Sequence, residues 1–137
     1  MVAGKAYALD DIEHDILRKQ FTEPRVHFAI VCASLSCPNL RTELFEGARL
    51  EAQLAEATAT FPGNPTKGLQ PGADGKTARV SSIFKWFAED FAAAGGAAQF
   101  IKRGVDGSLA GRLAGLTDRG LSYLPYDWSL NDTVRAR

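Results

Sequence analysis

The sequence predicts an α+β fold, a small mixed α/β domain in which a central buried strand is flanked by helices. Three observations predict it. In Arg25-Val26-His27-Phe28-Ala29-Ile30-Val31-Cys32, Val26, Phe28, Ile30 and Cys32 alternate with His27, Ala29 and Val31. Both faces are largely apolar, the pattern of a strand covered on two sides. Leu50, Leu54, Ala57 and Phe61 keep the three-to-four spacing of one buried helix face, and a second helix is expected through Ile83, Phe84, Phe87 and Phe91. The 137 residues suffice for one domain and are too few for two comfortable ones.

From the N-terminus, Asp10-Asp11-Ile12-Glu13 has the form of a capping box, and Ile12 and Ile16 share a face. The pattern predicts a helix over 11–19, closed by Arg18-Lys19 and broken before Pro24. The strand over 25–32 follows. Cys37-Pro38-Asn39-Leu40 has proline at a first helical position, so a helix is expected from about 39 to 61, interruptible at Gly47. Full burial of Leu50, Leu54 and Phe61 would contribute roughly 1.5–3 kcal/mol each. Residues 62–78 hold four of the thirteen glycines and three of the six prolines, which marks a surface excursion. Asp74-Gly75 is a hairpin turn between weak strands near 66–69 and 77–80. Ser81 or Ser82 caps a helix over 83–94 that stops at Gly95-Gly96. Short helices at 97–103 and 108–116 and a strand at 121–124 complete the reading.

Composition narrows the function. With 45% hydrophobic and 23% charged residues the chain is globular rather than disordered. Sixteen Lys plus Arg balance sixteen Asp plus Glu, so a nucleic-acid partner is not expected. No run approaches the roughly 20 apolar residues of a membrane span, and the first dozen residues have no signal-peptide pattern. A soluble domain is expected, with its compartment open. Two cysteines cannot build a disulfide scaffold.

Four blocks then carry a family resemblance. They are Leu9-Asp10-Asp11-Ile12-Glu13-His14 with Ile16-Leu17-Arg18; Pro24-Arg25-Val26-His27-Phe28-Ala29 running to Cys32-Ala33-Ser34-Leu35-Ser36-Cys37-Pro38; Ser82-Ile83-Phe84-Lys85-Trp86-Phe87 with Glu89-Asp90-Phe91; and Tyr123-Leu124-Pro125-Tyr126-Asp127-Trp128-Ser129-Leu130-Asn131. In order and spacing they resemble the domain of unknown function 547 family. The resemblance implies a domain and no established activity. It also implies that residues 1–137 are a single domain matching the C-terminal part of the family domain, an N-terminally truncated form. A missing element would leave apolar surface open to self-association.

The candidate chemistry centres on Cys37, expected at a helix N-terminus. That position supplies only about 0.3–1 kcal/mol, under one pKa unit, so a reactive Cys37 needs an imidazole as well. His14 and His27 are the two histidines. On the predicted strand, His27 lies about 16 Å from Cys32 at roughly 3.3 Å per residue, so a dyad with Cys37 needs the loop to double back. His14 is unconstrained, and Asp127 or Asn131 could orient the imidazole. One reading is a thiol-dependent hydrolase or acyl transferase with Cys37 as nucleophile, acting on a small-molecule or peptide substrate. The other is a non-catalytic interaction or structural module with a protein partner, in which Cys37 is a buried loop residue.

Cys32 is expected in the core. A Cys32–Cys37 disulfide is feasible in sequence, would stabilise by about 2 kcal/mol, and makes a redox-active pair a third reading. No cofactor is called for, and His14 and His27 lack the paired spacing of a zinc finger. Arg25 is expected to anchor a carboxylate such as Glu13 or Asp90, and the adjacent Glu89-Asp90 pair does not converge on one substrate. Tyr126-Asp127-Trp128 either lines a pocket or seals the end of the fold.

Overall fold

Carboxylates and glycines set most of the element boundaries. The structure, a computed structural model, describes residues 4–132. Helix α1 spans residues 9–20: Asp11–Leu17 has π-helical hydrogen bonding and continues as Arg18–Gln20. The expected Asp10–Glu13 capping box does not form, since Asp10 makes no side-chain cap hydrogen bond; the Asp11 carboxylate instead accepts the Ala8 N–H at 2.8 Å. A 3-10 turn, Gly47–Arg49, leads into α2, Leu50–Thr60. Strands β1, Leu69–Pro71, and β2, Ala78–Val80, form an antiparallel hairpin pairing Leu69 with Val80. Its turn is the expected one: Asp74 Oδ1 accepts the Lys76 and Thr77 N–H groups at 2.9 Å each, and Gly75 takes φ +65°.

Helices α3, Ile83–Trp86, α4, Ala88–Ala92, α5, Ala97–Gly104, and α6, Gly107–Arg112, then cross over to β3, Leu121–Tyr123, which lies parallel to β2. Asp106 caps α6 through the Ser108 and Leu109 N–H groups. Asp118 performs the same service for α5 at the Ala98 N–H. Gly96 precedes that helix at φ +90°, where a Cβ would run into the Asp118 carboxylate. The sheet order is β1-β2-β3. Mixed α+β is therefore the observed class.

The core gathers Phe28, Phe61, Phe84, Phe91 and Phe100, with Val80, Ile101 and Leu113 fully buried. Phe28 is its hub, with ring centroids 5.4 Å from Phe61, 5.7 Å from Phe84 and 5.9 Å from Phe100.

Several expectations are corrected. The strand over 25–32 is absent: Pro24–Phe28 is a 3-10 helix, and the three-stranded sheet lies elsewhere in the chain. Glu23 accepts the Arg25 N–H, Pro24 presets the first turn, and the Ala29 and Ile30 N–H groups both return to Val26 O. A short run that is apolar on both faces suits a buried turn as well as a strand. The helix does not begin at 39, because residues 38–46 are irregular and Leu40 and Leu44 stay exposed. Those two leucines find no face to pack on, and packing is what holds a helix of that length. Leu54, Ala57 and Phe61 are buried as expected, whereas Leu50 is exposed. The helix over 83–94 is broken at Phe87, and Ser81, not Ser82, reaches its first turn through the Ile83 N–H. Arg25 pairs with Glu23 and Glu51 rather than with Glu13 or Asp90.

Candidate functional site: an exposed thiol in an aromatic cavity

The loop after the 3-10 helix is held by the C-terminal segment. Leu35 N–H donates to Ser129 O at 2.8 Å, Ser36 N–H to Asp127 O at 3.2 Å, and Asn131 N–H to Ala33 O at 2.8 Å. The Asp127 N–H returns a bond to Ser36 Oγ. Within this clamp Ala33 is driven to φ +58°, a left-handed conformation unusual for a residue with a Cβ. The strained residue adjoins Cys32, which is exposed, contrary to the expectation of a core position. Its strand neighbours no longer dictate a buried face once the strand is gone. Cys37 is 4% exposed and lies in a turn rather than at a helix start, so no helix terminus acts on it.

Cys32 and Cys37 share one cavity of about 190 Å³ with Glu13, His27, Ile30, Ile83, Trp86, Phe87, Tyr126 and Trp128. At Cys32, Sγ lies 3.3 Å from Ser34 Oγ and 3.4 Å from Tyr126 Oη, and those two oxygens are 3.0 Å apart. Partial burial raises the Cys32 thiol, but hydrogen bonds from Cys37, Ser34 and Tyr126 outweigh it and bring the group down to about 7. At neutral pH roughly half of it is thiolate. Burial pushes the Cys37 thiol the other way, up to about 11. Burial also raises the Tyr126 phenol, which keeps it a donor.

The same lining includes an imidazole. His27 is 4% exposed, stacks on Phe87 with centroids 3.9 Å apart, and meets Asp90 Oδ2 with Nε2 at 2.7 Å. Arg18 clamps the same carboxylate at 2.6 and 3.1 Å, and that hydrogen bonding holds Asp90 below the usual carboxylate range. Burial lowers His27 despite Asp90, so at neutral pH it is the neutral ring with Nε2–H facing Asp90. Nδ1 is then the basic nitrogen, and no described residue donates to it.

The structure thus brings Cys37 and His27 to one cavity, which the predicted strand had kept apart; the helical turn at 24–28 removes the 16 Å span. It does not bring His14 or Asp127 to them. His14 is exposed with Nδ1 3.1 Å from Arg18, and Asp127 Oδ1 accepts the Ser129 N–H. Tyr126 and Trp128 line the pocket, and with Trp86 they form a cluster with centroids 4.5 to 5.6 Å apart. Sequence reasoning missed Asp90, Arg18 and Ser34. Asp90 contacts His27 across 63 positions, a separation no local pattern encodes. Among the described residues no group of three or more His, Cys, Asp or Glu could hold a metal ion. No helix among them is long and apolar enough to cross a membrane.

Fold and cavity together define a mixed α+β domain in which an exposed thiol and a carboxylate-held imidazole line the same cavity. Residues 1–61 match the model of a family described as "Protein of unknown function, DUF547", in line with the resemblance. No curated protein and no solved structure matches the chain.

Proposed function

We propose that the protein is a thiol-dependent hydrolase or acyl transferase whose attacking sulfur is Cys32 rather than Cys37. The observation that supports this most is the shared cavity: an exposed thiol ionised near neutrality, beside a neutral imidazole held by a carboxylate. The Cys32 thiolate adds to an acyl carbon, and Tyr126 and Ser34 hydroxyls stand beside the sulfur to donate to the oxyanion that forms. Collapse expels the leaving group as an anion and leaves a thioester. Nδ1 of His27 then accepts a proton from water as the water attacks, and the acid departs with Cys32 restored as thiolate. A second acceptor in place of water makes the same sequence a transfer. The aromatic lining suits an apolar acyl group.

The test is acyl capture. An activated aryl ester should give a burst of phenolate and an acyl adduct on the Cys32 peptide, both absent in Cys32→Ala. Unchanged turnover in Cys32→Ala, or an adduct confined to lysines, contradicts the reading.

The interaction-module reading draws on a different observation. Leu17, Phe21, Val26, Ala29, Ile30, Phe45, Leu50 and Leu54 line a concavity of about 420 Å³ that is almost wholly apolar. An unreactive Cys32 together with concentration-dependent association would favour it.

A further inference from the structure

Cys37 has no part in acyl transfer as drawn, yet its placement is specific. The Cys37 N–H closes a tight turn on Ser34 O at 3.1 Å, and its sulfur accepts the Cys32 N–H at 2.9 Å. Sγ of Cys37 is therefore folded back over residue 32. Access to them is unequal: Cys32 is exposed and Cys37 is buried. An external sulfur can meet Cys32, while Cys37 is reachable only from within. The four bonds between residues 33–36 and 127–131 hold the loop in this reversed form, so little movement stands between the sulfurs.

We propose that Cys32 and Cys37 form a dithiol pair that reduces disulfides by thiol–disulfide exchange, with Cys32 as the attacking sulfur and Cys37 as the resolving one. This rests on Cys32 being the reactive thiol, and otherwise goes beyond acyl chemistry. In the first step the Cys32 thiolate attacks one sulfur of R–S–S–R′, forming a Cys32–S–S–R bond and releasing R′S⁻. In the second, Cys37 loses its proton to solvent or to His27 and attacks Cys32 Sγ. The Cys32–S–S–R bond breaks, RS⁻ leaves, and a Cys32–Cys37 disulfide remains. The pair gives up two electrons and the substrate disulfide accepts them. A separate thiol donor resets the pair by the reverse exchange. The unequal burial suits this order: an adduct on Cys32 leaves the other sulfur protected from reagent but adjacent to the new bond. The aromatic lining supplied by Trp86, Tyr126 and Trp128 suits disulfides with aromatic or apolar substituents.

The probe is 5,5′-dithiobis(2-nitrobenzoic acid), an aryl disulfide, on the fully reduced whole chain under native conditions. Two aryl thiolates should be released per chain, the second at a rate independent of reagent concentration. The product should carry no adduct and weigh two hydrogens less. Cys37→Ser keeps a hydroxyl donor beside Cys32 and should release one equivalent, retaining the aryl adduct on Cys32. The wild-type mass alone decides the matter if that variant fails to fold. A stable aryl adduct on wild-type Cys32, or one adduct on each cysteine, overturns the dithiol pair while leaving Cys32 as nucleophile. No reaction at Cys32 in the native state overturns both readings.

Discussion

The two walls of the cavity are built on opposite principles. Around Cys32 the groups are neutral, two hydroxyls and a buried thiol beside an exposed sulfur that adjoins a strained residue. Around His27 the groups are charged or fully packed, with Arg18 and Asp90 fixing one nitrogen and Phe87 covering the ring. Burial penalises the charged form on both walls. At Cys32 the hydrogen bonds overcome that penalty and the thiol ionises near neutrality. At His27 burial prevails over Asp90 and the ring stays neutral. An anionic sulfur can therefore face a neutral base at the same pH, which a uniformly buried or uniformly exposed pair would not allow.

Substitutions on each wall test that contrast. Cys32→Ala should abolish acyl capture, read by mass spectrometry of the adduct. His27→Gln should slow deacylation by about 10²–10⁴-fold, the usual weight of a general base, while leaving the burst intact. The same variant should alter the pH dependence of stability. A histidine with a lowered folded-state value gives stability that is full above its unfolded value near 6.5 and declines as pH falls toward the folded value. Thermal melts of wild type should therefore weaken as pH falls below about 6.5, and His27→Gln should lose that component.

Asp90→Asn removes the carboxylate held by Arg18 and should cost about 1.5–3 kcal/mol in denaturant titration, the scale of hydrogen bonds to charged groups. Tyr126→Phe deletes one hydrogen-bond partner of Cys32 while keeping the ring, and should move the thiol's midpoint upward in a pH–alkylation profile. His14→Ala lies outside the cavity and should shift stability by no more than about 0.5 kcal/mol, with thiol reactivity unchanged.

Legibility in the sequence followed the range of the interactions. The Asp74-Gly75 turn, the Leu54, Ala57 and Phe61 part of the α2 face, and the stop at Gly95-Gly96 are set by neighbours a few positions apart, and each lies where the pattern indicated. The segment 24–37 was misread because its apolar run suits either a strand or a packed helical turn. The deciding interactions, Glu23 capping Arg25 and Phe28 sitting among four phenylalanines, are one too local and one too distant for periodicity to register. That single misreading carried over to the site. It assigned Cys32 to the core and kept His27 from Cys37. The residue types, two cysteines and a histidine, were legible; which sulfur faces solvent and which carboxylate holds the ring depend on contacts 63 to 94 positions apart.

The central claim is that Cys32 is the reactive sulfur and Cys37 its protected neighbour. Its most direct measurement is the rate of iodoacetamide labelling of each cysteine against pH on the folded chain, resolved by peptide mass spectrometry. Cys32 should label fast with a midpoint near 7, and Cys37 only at much higher pH or on unfolding. Faster labelling of Cys37, or equal and slow labelling of both with midpoints at or above about 8.5, the ordinary thiol value, would contradict it.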